Sequence, residues 1–212
     1  VYLGEPFRKF YEASTNENIW QLPDYGHGIK KLSRFYRDYC KILSYRFQVR
    51  EEVNAAKAFS RILVNSLYSR ESVIRAYGID ACVCYLGIDE SLFKPESIAK
   101  KQSYVVGLGR ITPAKNVQKA IQCISLIPRD IRPELKWISN GYEPHYFEQI
   151  RQIALELGVH FSPLIDIPDD SLVRVINEAA VLLYTSHLEP FGLAPIEANM
   201  CGTSAIAIAE GG

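Results

Sequence analysis

No apolar run in this chain approaches the roughly 20 residues needed to cross a bilayer. Nothing near its start has the basic, then apolar, then small-residue order of a signal peptide. Its five cysteines (Cys40, Cys82, Cys84, Cys123, Cys201) are odd in number and scattered, with no Cys-x-x-Cys, and no Asn-x-Ser/Thr acceptor occurs. That pattern argues against a disulfide scaffold and for reduced thiols in a cytoplasmic protein. Cys82 and Cys84 alternate along a predicted strand and share a face, where ordinary packing is expected rather than redox work. The four histidines (His27, His145, His160, His187) show neither His-x-x-x-His spacing nor a neighbouring Cys pair, so no zinc site is expected. Without an Asp-x-Asp, the paired carboxylates that often hold a metal-bound nucleotide are missing, and without a Gly-x-Ser-x-Gly a serine hydrolase has no support. Net charge is zero, with 24 basic residues against 24 acidic, so bulk charge does not recruit nucleic acid.

What is present is a chain of 212 residues, 48% hydrophobic, able to bury one large core or two small ones. Residues 1–4 read as an interior strand without a starting Met, and residues 205–212 as a buried strand running into a glycine loop. Both ends read as cut from something longer. Residues 29–59 carry apolar side chains at helical spacing (Ile29, Leu32, Phe35, Tyr36, Tyr39, Leu43), giving a long amphipathic helix, continuous or broken midway. A strand at 61–65, a helix capped by Ser66 or Ser69 and ended by Gly78, and a strand at 81–85 follow. The polar stretch 94–102, with Pro95 and alternating charges, is the expected linker. Beyond it, predicted strands at 104–108, 135–139, 159–161, 181–184 and 204–208 alternate with helices at 115–126, 146–157, 171–179 and 195–200. Continuous apolar strands separated by helices indicate an α/β fold with a parallel sheet covered on both faces. Ligands of such sheets lie beyond the C-terminal strand ends.

The candidate chemistry sits at those ends. Glu189-Pro-Phe-Gly-Leu193 joins an apolar strand to a short helix carrying Glu197, eight residues after Glu189. The Phe191-Gly192-Leu193 turn can aim backbone N–H groups at an anion, because a helix start offers unpaired donors and partial positive charge. Pro195 suits a helix start and Glu197 is expected in the first turn. Gly107-Leu-Gly109-Arg110 lacks the third glycine of a dinucleotide fingerprint, Thr112 standing there. Arg110 and Lys115 remain, a planar fork and a mobile point charge suited to a diphosphate. Either cation alone reads as solvated surface charge; together with the Glu189–Glu197 segment they point to a nucleoside diphosphate attached to a sugar. The stretch 29–50 carries Lys30, Lys31, Arg34, Arg37, Lys41, Arg46 and Arg50 against Asp38 alone. It could rest on an anionic membrane surface, or simply be a solvated basic face.

Taken together these motifs resemble the retaining family-4 glycosyltransferases of GT-B fold. The resemblance runs over residues 60–212, through Asn65-Ser66 to Gly87-Ile-Asp89 and Phe93-Lys-Pro95, Gly109 to Asn116, Glu189 to Ala198, and Cys201-Gly-Thr to Gly211-Gly212. It implies two Rossmann-like domains with parallel sheets, both incomplete here: a partial acceptor-side domain at 1–93 and a partial donor-binding domain at 103–212. It implies transfer of a hexose, of mannose or glucose type, with retention and without a metal or cofactor, to a glycan or lipid-linked acceptor. Arg110, Lys115 and Glu189 would be catalytic, the first two on the diphosphate and Glu189 near the sugar. Gly109, Asn116, Phe191, Gly192 and Leu193 would line the donor, Glu197 would hold the ribose, and the base would rest near Asn140, Gly141, Leu164 and Ile165. Gly4, followed by Glu5, stands where many members place a His. A non-catalytic nucleotide-sugar binder or partner subunit, keeping the pocket without the chemistry, is the competing expectation, and an epimerase of nucleotide sugars is a weaker third.

Overall fold

The computed structural model describes residues 1–4, 6, 29–96 and 100–212, without the side chains of residues 29–35 and 38. These fall into two compact units, Val1–Tyr85 and Leu86–Gly212.

In the first unit, helix α1 spans Ile29–Ala58 without a break. No glycine or proline interrupts that stretch, so nothing in the backbone forces a mid-helix break, and the continuous alternative holds. Helix α2 (Leu67–Tyr77) starts at Ser66, whose hydroxyl accepts from the Ser69 N–H at 3.0 Å, and ends at Gly78 in the left-handed conformation. Strands β1 (Leu63–Val64) and β2 (Cys82–Val83) pair in parallel, and Tyr2 bridges to Leu63 in parallel. Ala56, Ile62, Val64, Val73, Tyr77 and Ala81 form this unit's core. Cys82 and Cys84 do share a face, but both are exposed. Ala81 is buried and Val83 packs against the core, so the two-residue period turns the cysteines outward, against the expected packing role.

The second unit holds strands β3 (Tyr104–Leu108), β4 (Glu134–Ser139), β5 (Phe161–Ile165), β6 (Val181–Tyr184) and β7 (Ala205–Ala207). They form one parallel sheet in the order β5-β4-β3-β6-β7. Its helices are α3 (Val117–Ser125), α4 (Pro144–Leu157), α5 (Asp169–Glu178) and α6 (Leu193–Met200). Along β3 the alternation splits the core in two. Val105 packs with Leu135, Trp137 and the inner faces of α3 and α4, while Tyr104 and Val106 pack with Ile138, Leu182 and the inner faces of α5 and α6. Gly107 stands opposite Trp137, and a Cβ there would lie 2.2 Å from the indole ring, so the close approach requires glycine.

Three expectations shift. The expected linker at 94–102 lies, where described, against the second unit. Phe93 is in its core with Ile88 and Leu92 packed on it, and buried Asn177 donates to the Lys94 carbonyl and accepts from the Glu96 N–H. The strand expected at 159–161 is β5, displaced toward its C-terminal side with Pro163 inside it. An edge strand needs only one hydrogen-bonded flank, so the missing N–H is tolerated. Helix α6 starts two residues before Pro195, at Leu193, with Gly192 as its left-handed cap.

Candidate functional site

Strand order reverses between β3 and β6, since β4 and β5 extend to one side and β7 to the other. The crevice beyond the C-terminal ends at such a reversal is where open α/β sheets bind ligands. Two loops border it. After β3, Gly109-Arg110 leads through a short 3-10 turn, Pro113–Lys115, to left-handed Asn116 and α3. After β6, Thr185 to Gly192 leads into α6. Hydrogen bonds join the loops: Thr185 Oγ1 donates to the Lys115 carbonyl at 3.1 Å and the His187 N–H to the Ala114 carbonyl at 3.1 Å.

The Lys115 side chain passes over Gly109, where a Cβ would stand 3.3 Å from Lys115 Cδ, and its Nζ meets Glu189 Oε2 at 2.5 Å. Both partners are about a quarter exposed. The backbone of Glu189 is fixed by the end of the chain, for Gly212 N–H donates to the Glu189 carbonyl at 2.8 Å. A Cβ on Gly211 would come within 2.3 Å of that same oxygen, so the glycine loop lets the two backbones touch.

Arg110 is exposed and has no hydrogen bond or ion pair with the described residues. Its guanidinium lies beside Gly141, where a Cβ would be 3.6 Å from Cζ. Glu197 is half-buried on α6, in its second turn rather than the first as expected, because the helix starts earlier. Burial pushes its carboxyl above the usual glutamate range. Gly192 packs on Tyr184, where a Cβ would be 2.8 Å from the phenol oxygen. Burial, reinforced by the nearby Glu189 carboxylate and opposed by a hydrogen bond with Ser186, raises the Tyr184 phenol and keeps it a neutral O–H. The first amides of α6 have no partner within the helix, and Pro195 removes one of them, leaving those of Leu193 and Ala194 available.

A cavity of about 720 Å³ opens beside these groups, within the size range of small-ligand sites. Arg110, Asn140, Asp166, Asp169 and Glu197 supply its polar lining, and Leu108, Ile138, Ile167, Leu172 and Phe93 much of its apolar wall. Of the residues singled out from the sequence, Gly109, Arg110, Asn140 and Glu197 line it and Gly141 adjoins Arg110. Lys115 and Glu189 pair with each other, and Gly192 and Leu193 start α6. Phe191 is partly buried in the turn before them, and Asn116 shapes the turn into α3. Leu164 and Ile165 lie within β5 and pack against the two cores, so the wall at this point is Asp166 and Ile167. Those two were missed; the available signal was the Asp-Ile-Pro-Asp-Asp turn chemistry of residues 166–170 at a strand end. Among the described residues no group of three His, Cys, Asp or Glu is placed to hold a metal ion.

A family model described as glycosyl transferases group 1 matches residues 88–212. The chain is similar to the serotype-specific mannosyltransferase WbdA of Escherichia coli, 29% identical over 127 residues, covering 56% of this chain and 16% of WbdA. It is similar also to D-inositol 3-phosphate glycosyltransferase of Acidothermus cellulolyticus, 27% identical over 188 residues, covering 76% of this chain and 41% of that protein. Among solved structures, Anabaena HepE in complex with UDP-glucose superposes with a TM-score of 0.67 at 26% identity, over 77% of this chain and 49% of HepE. The chain thus spans less than half the length of each of these proteins.

Proposed function

The chain belongs to the group 1 glycosyl transferases, with the parallel-sheet, Rossmann-like α/β fold of GT-B enzymes, and on that premise we propose that it carries the donor site of a retaining, metal-independent family-4 glycosyltransferase. The donor is a nucleoside diphosphate hexose, and the acceptor a glycan or lipid-linked sugar handled by the acceptor-side domain to which residues 1–93 contribute. The observation that carries this reading is the grouping at one strand-order reversal. Arg110 and Glu197 face one cavity without protein partners among the described residues, and the Lys115–Glu189 pair lies alongside.

Arg110, Lys115 and the first amides of α6 take the diphosphate, and stabilise the charge that develops on the leaving oxygen as the bond to the sugar C1 breaks. Lys115 has three donors, so it keeps one on Glu189 while offering another to phosphate. Glu189 then orients the sugar with its remaining acceptor sites, and Glu197 accepts from the ribose hydroxyls. The leaving phosphate receives the acceptor's proton. The HepE complex with UDP-glucose supports a nucleotide-sugar donor. On α1, Arg37, Lys41, Arg46 and Arg50 are exposed beside exposed Tyr36, Tyr39 and Phe47, which supports peripheral contact with the cytoplasmic face of a membrane.

Titration calorimetry with nucleoside diphosphates tests the donor site. Lys115→Ala is expected to weaken binding by about 1–3 kcal/mol, the range for a lost charged hydrogen bond. Glu189→Gln releases Lys115 and should leave affinity equal or higher while abolishing sugar transfer. Unchanged affinity in Lys115→Ala would sink the diphosphate assignment. Binding by the wild-type chain, with neither transfer nor donor hydrolysis by the full-length protein, would favour a non-catalytic binder.

A further inference from the structure

We infer that the Asp166 carboxylate reads the nucleobase of the donor, and that the base it fits is guanine; this rests on the reading of the cavity as a nucleotide-sugar site. Asp166 directly follows β5, two strands from β3 and three from β6. At about 4.8 Å per strand this places it about 10 Å along the sheet from the Arg110 loop. With the diphosphate at the β3–β6 reversal, the ribose and base extend over the end of β4 toward β5. The far wall they meet is Asp166 with Ile167, flanked by Ile138 and Leu172, apolar surface suited to a flat ring.

The backbone at this position is held in a defined conformation, with the exposed side chain on the cavity wall. Asp166 has φ +51, the left-handed conformation, and its N–H is held by the Ser139 carbonyl at 2.9 Å. Glycine would take that conformation without strain; aspartate and asparagine tolerate it better than other side chains. Backbone strain of this kind gathers at ligand sites. The Asp166 carboxylate has no hydrogen bond or ion pair with the described residues. The neighbouring Asp169 sits in the first turn of α5, where the helix dipole already favours a carboxylate.

A carboxylate presents two acceptors side by side and no donor. Guanine alone among the common bases offers two adjacent donors on its pairing edge, N1–H and the N2 amine, and takes a carboxylate in a bidentate pair. Its O6, next along that edge, would fall toward Asn140 at the end of β4, the adjacent strand, whose amide can donate to it. Uracil offers one N–H between two carbonyl oxygens. One Asp166 oxygen would accept from that N–H while the other faced a carbonyl, leaving two acceptors opposed. Adenine and cytosine set an acceptor beside the amine and meet the same conflict.

Calorimetric titration of the chain with GDP, UDP, ADP and inorganic pyrophosphate tests this. GDP is expected to bind about 10- to 100-fold tighter than UDP or ADP. Asp166→Asn keeps a residue suited to the left-handed backbone, and Asp166→Gly removes the side chain without strain. Both should reduce the GDP-to-UDP ratio by about tenfold or more, with pyrophosphate affinity and the thermal midpoint unchanged. UDP binding equal to or tighter than GDP in the wild type overturns the inference, as does a ratio unchanged in both variants. If instead every nucleoside diphosphate binds no better than pyrophosphate, the donor-site reading itself fails.

Discussion

At the scale of single residues, the pairing of Lys115 with Glu189 could not be read from the chain, because 74 residues separate the two. Only the adjacency of β3 and β6, with their loops hydrogen-bonded to each other, brings them together. As candidates, Arg110, Lys115, Glu189 and Glu197 stood out because charged residues bracketed glycine turns at strand ends. Asp166 did not, since an aspartate in a polar turn looks like ordinary turn chemistry until its φ and its cavity are known. Glu197 carries a testable cost of function. Its raised folded-state value, caused by burial, means the neutral form is the one favoured by folding. That contribution is fully present below the unfolded-state value of a glutamate and is lost as pH rises through the folded-state value. At neutral pH the ionised carboxylate is therefore a burden on stability, a cost that the proposed donor-binding role would account for. Glu197→Gln is expected to be more stable than the wild type in urea at pH 7 and equal to it near pH 4, while binding nucleoside diphosphate less well. Equal stability of the two proteins at both pH values would contradict this assignment.

At the scale of elements, strands β3 and β6 were read to the residue because buried parallel strands are short, continuous apolar runs bounded by polar or glycine signals. Strand β5 lies beyond the expected 159–161 and contains Pro163; only its edge position permits a proline there, and edge position is a property of the sheet. The start of α6 was read late for a related reason, since Pro195 looked like a first helical residue and the preceding Leu-Ala carries no boundary signal. The pairing of β3 with β4 makes its own demand. A methyl on Gly107 meets the Trp137 ring at 2.2 Å, and neither the central strand nor the buried indole can withdraw. Gly107→Ala should therefore cost about 1–3 kcal/mol in denaturant unfolding, as overpacked cores do. Gly87→Ala, where an added Cβ meets nothing within 4 Å, is the matched control and should change stability by less than about 0.5 kcal/mol.

At the scale of the whole molecule, every residue lining the cavity lies between Phe93 and Glu197, inside the unit Leu86–Gly212. That unit has its own two-sided core, with α3, α4, α5 and α6 joining its successive strands. The residues that look like a linker in sequence, with their proline and alternating charge, are fastened to it by Asn177 and, at Gln102, by the Glu178 carbonyl. Polar composition marks exposed chain and says nothing of what the backbone is bonded to, so the boundary was legible only approximately. A fragment of residues 86–212 is accordingly expected to fold with a cooperative thermal transition and to bind nucleoside diphosphate within about twofold of the full chain. A fragment trimmed to 103–212 loses Phe93 from the cavity wall and the ties to Asn177, and should melt at a lower temperature. Circular dichroism and calorimetry on the two fragments decide between the boundaries.

The Trp137 indole N–H donates to the Gly109 carbonyl at 2.7 Å, while its ring fills the space left by Gly107. The residue after Gly109 is Arg110, and the chain has only two tryptophans, the other being Trp20. The protein thus contains an optical probe wired by one hydrogen bond to the loop proposed to hold the diphosphate. Replacing Trp20 by phenylalanine would leave a single emitter, and occupancy of the site could then be followed in real time, without a label, by the intensity of one indole.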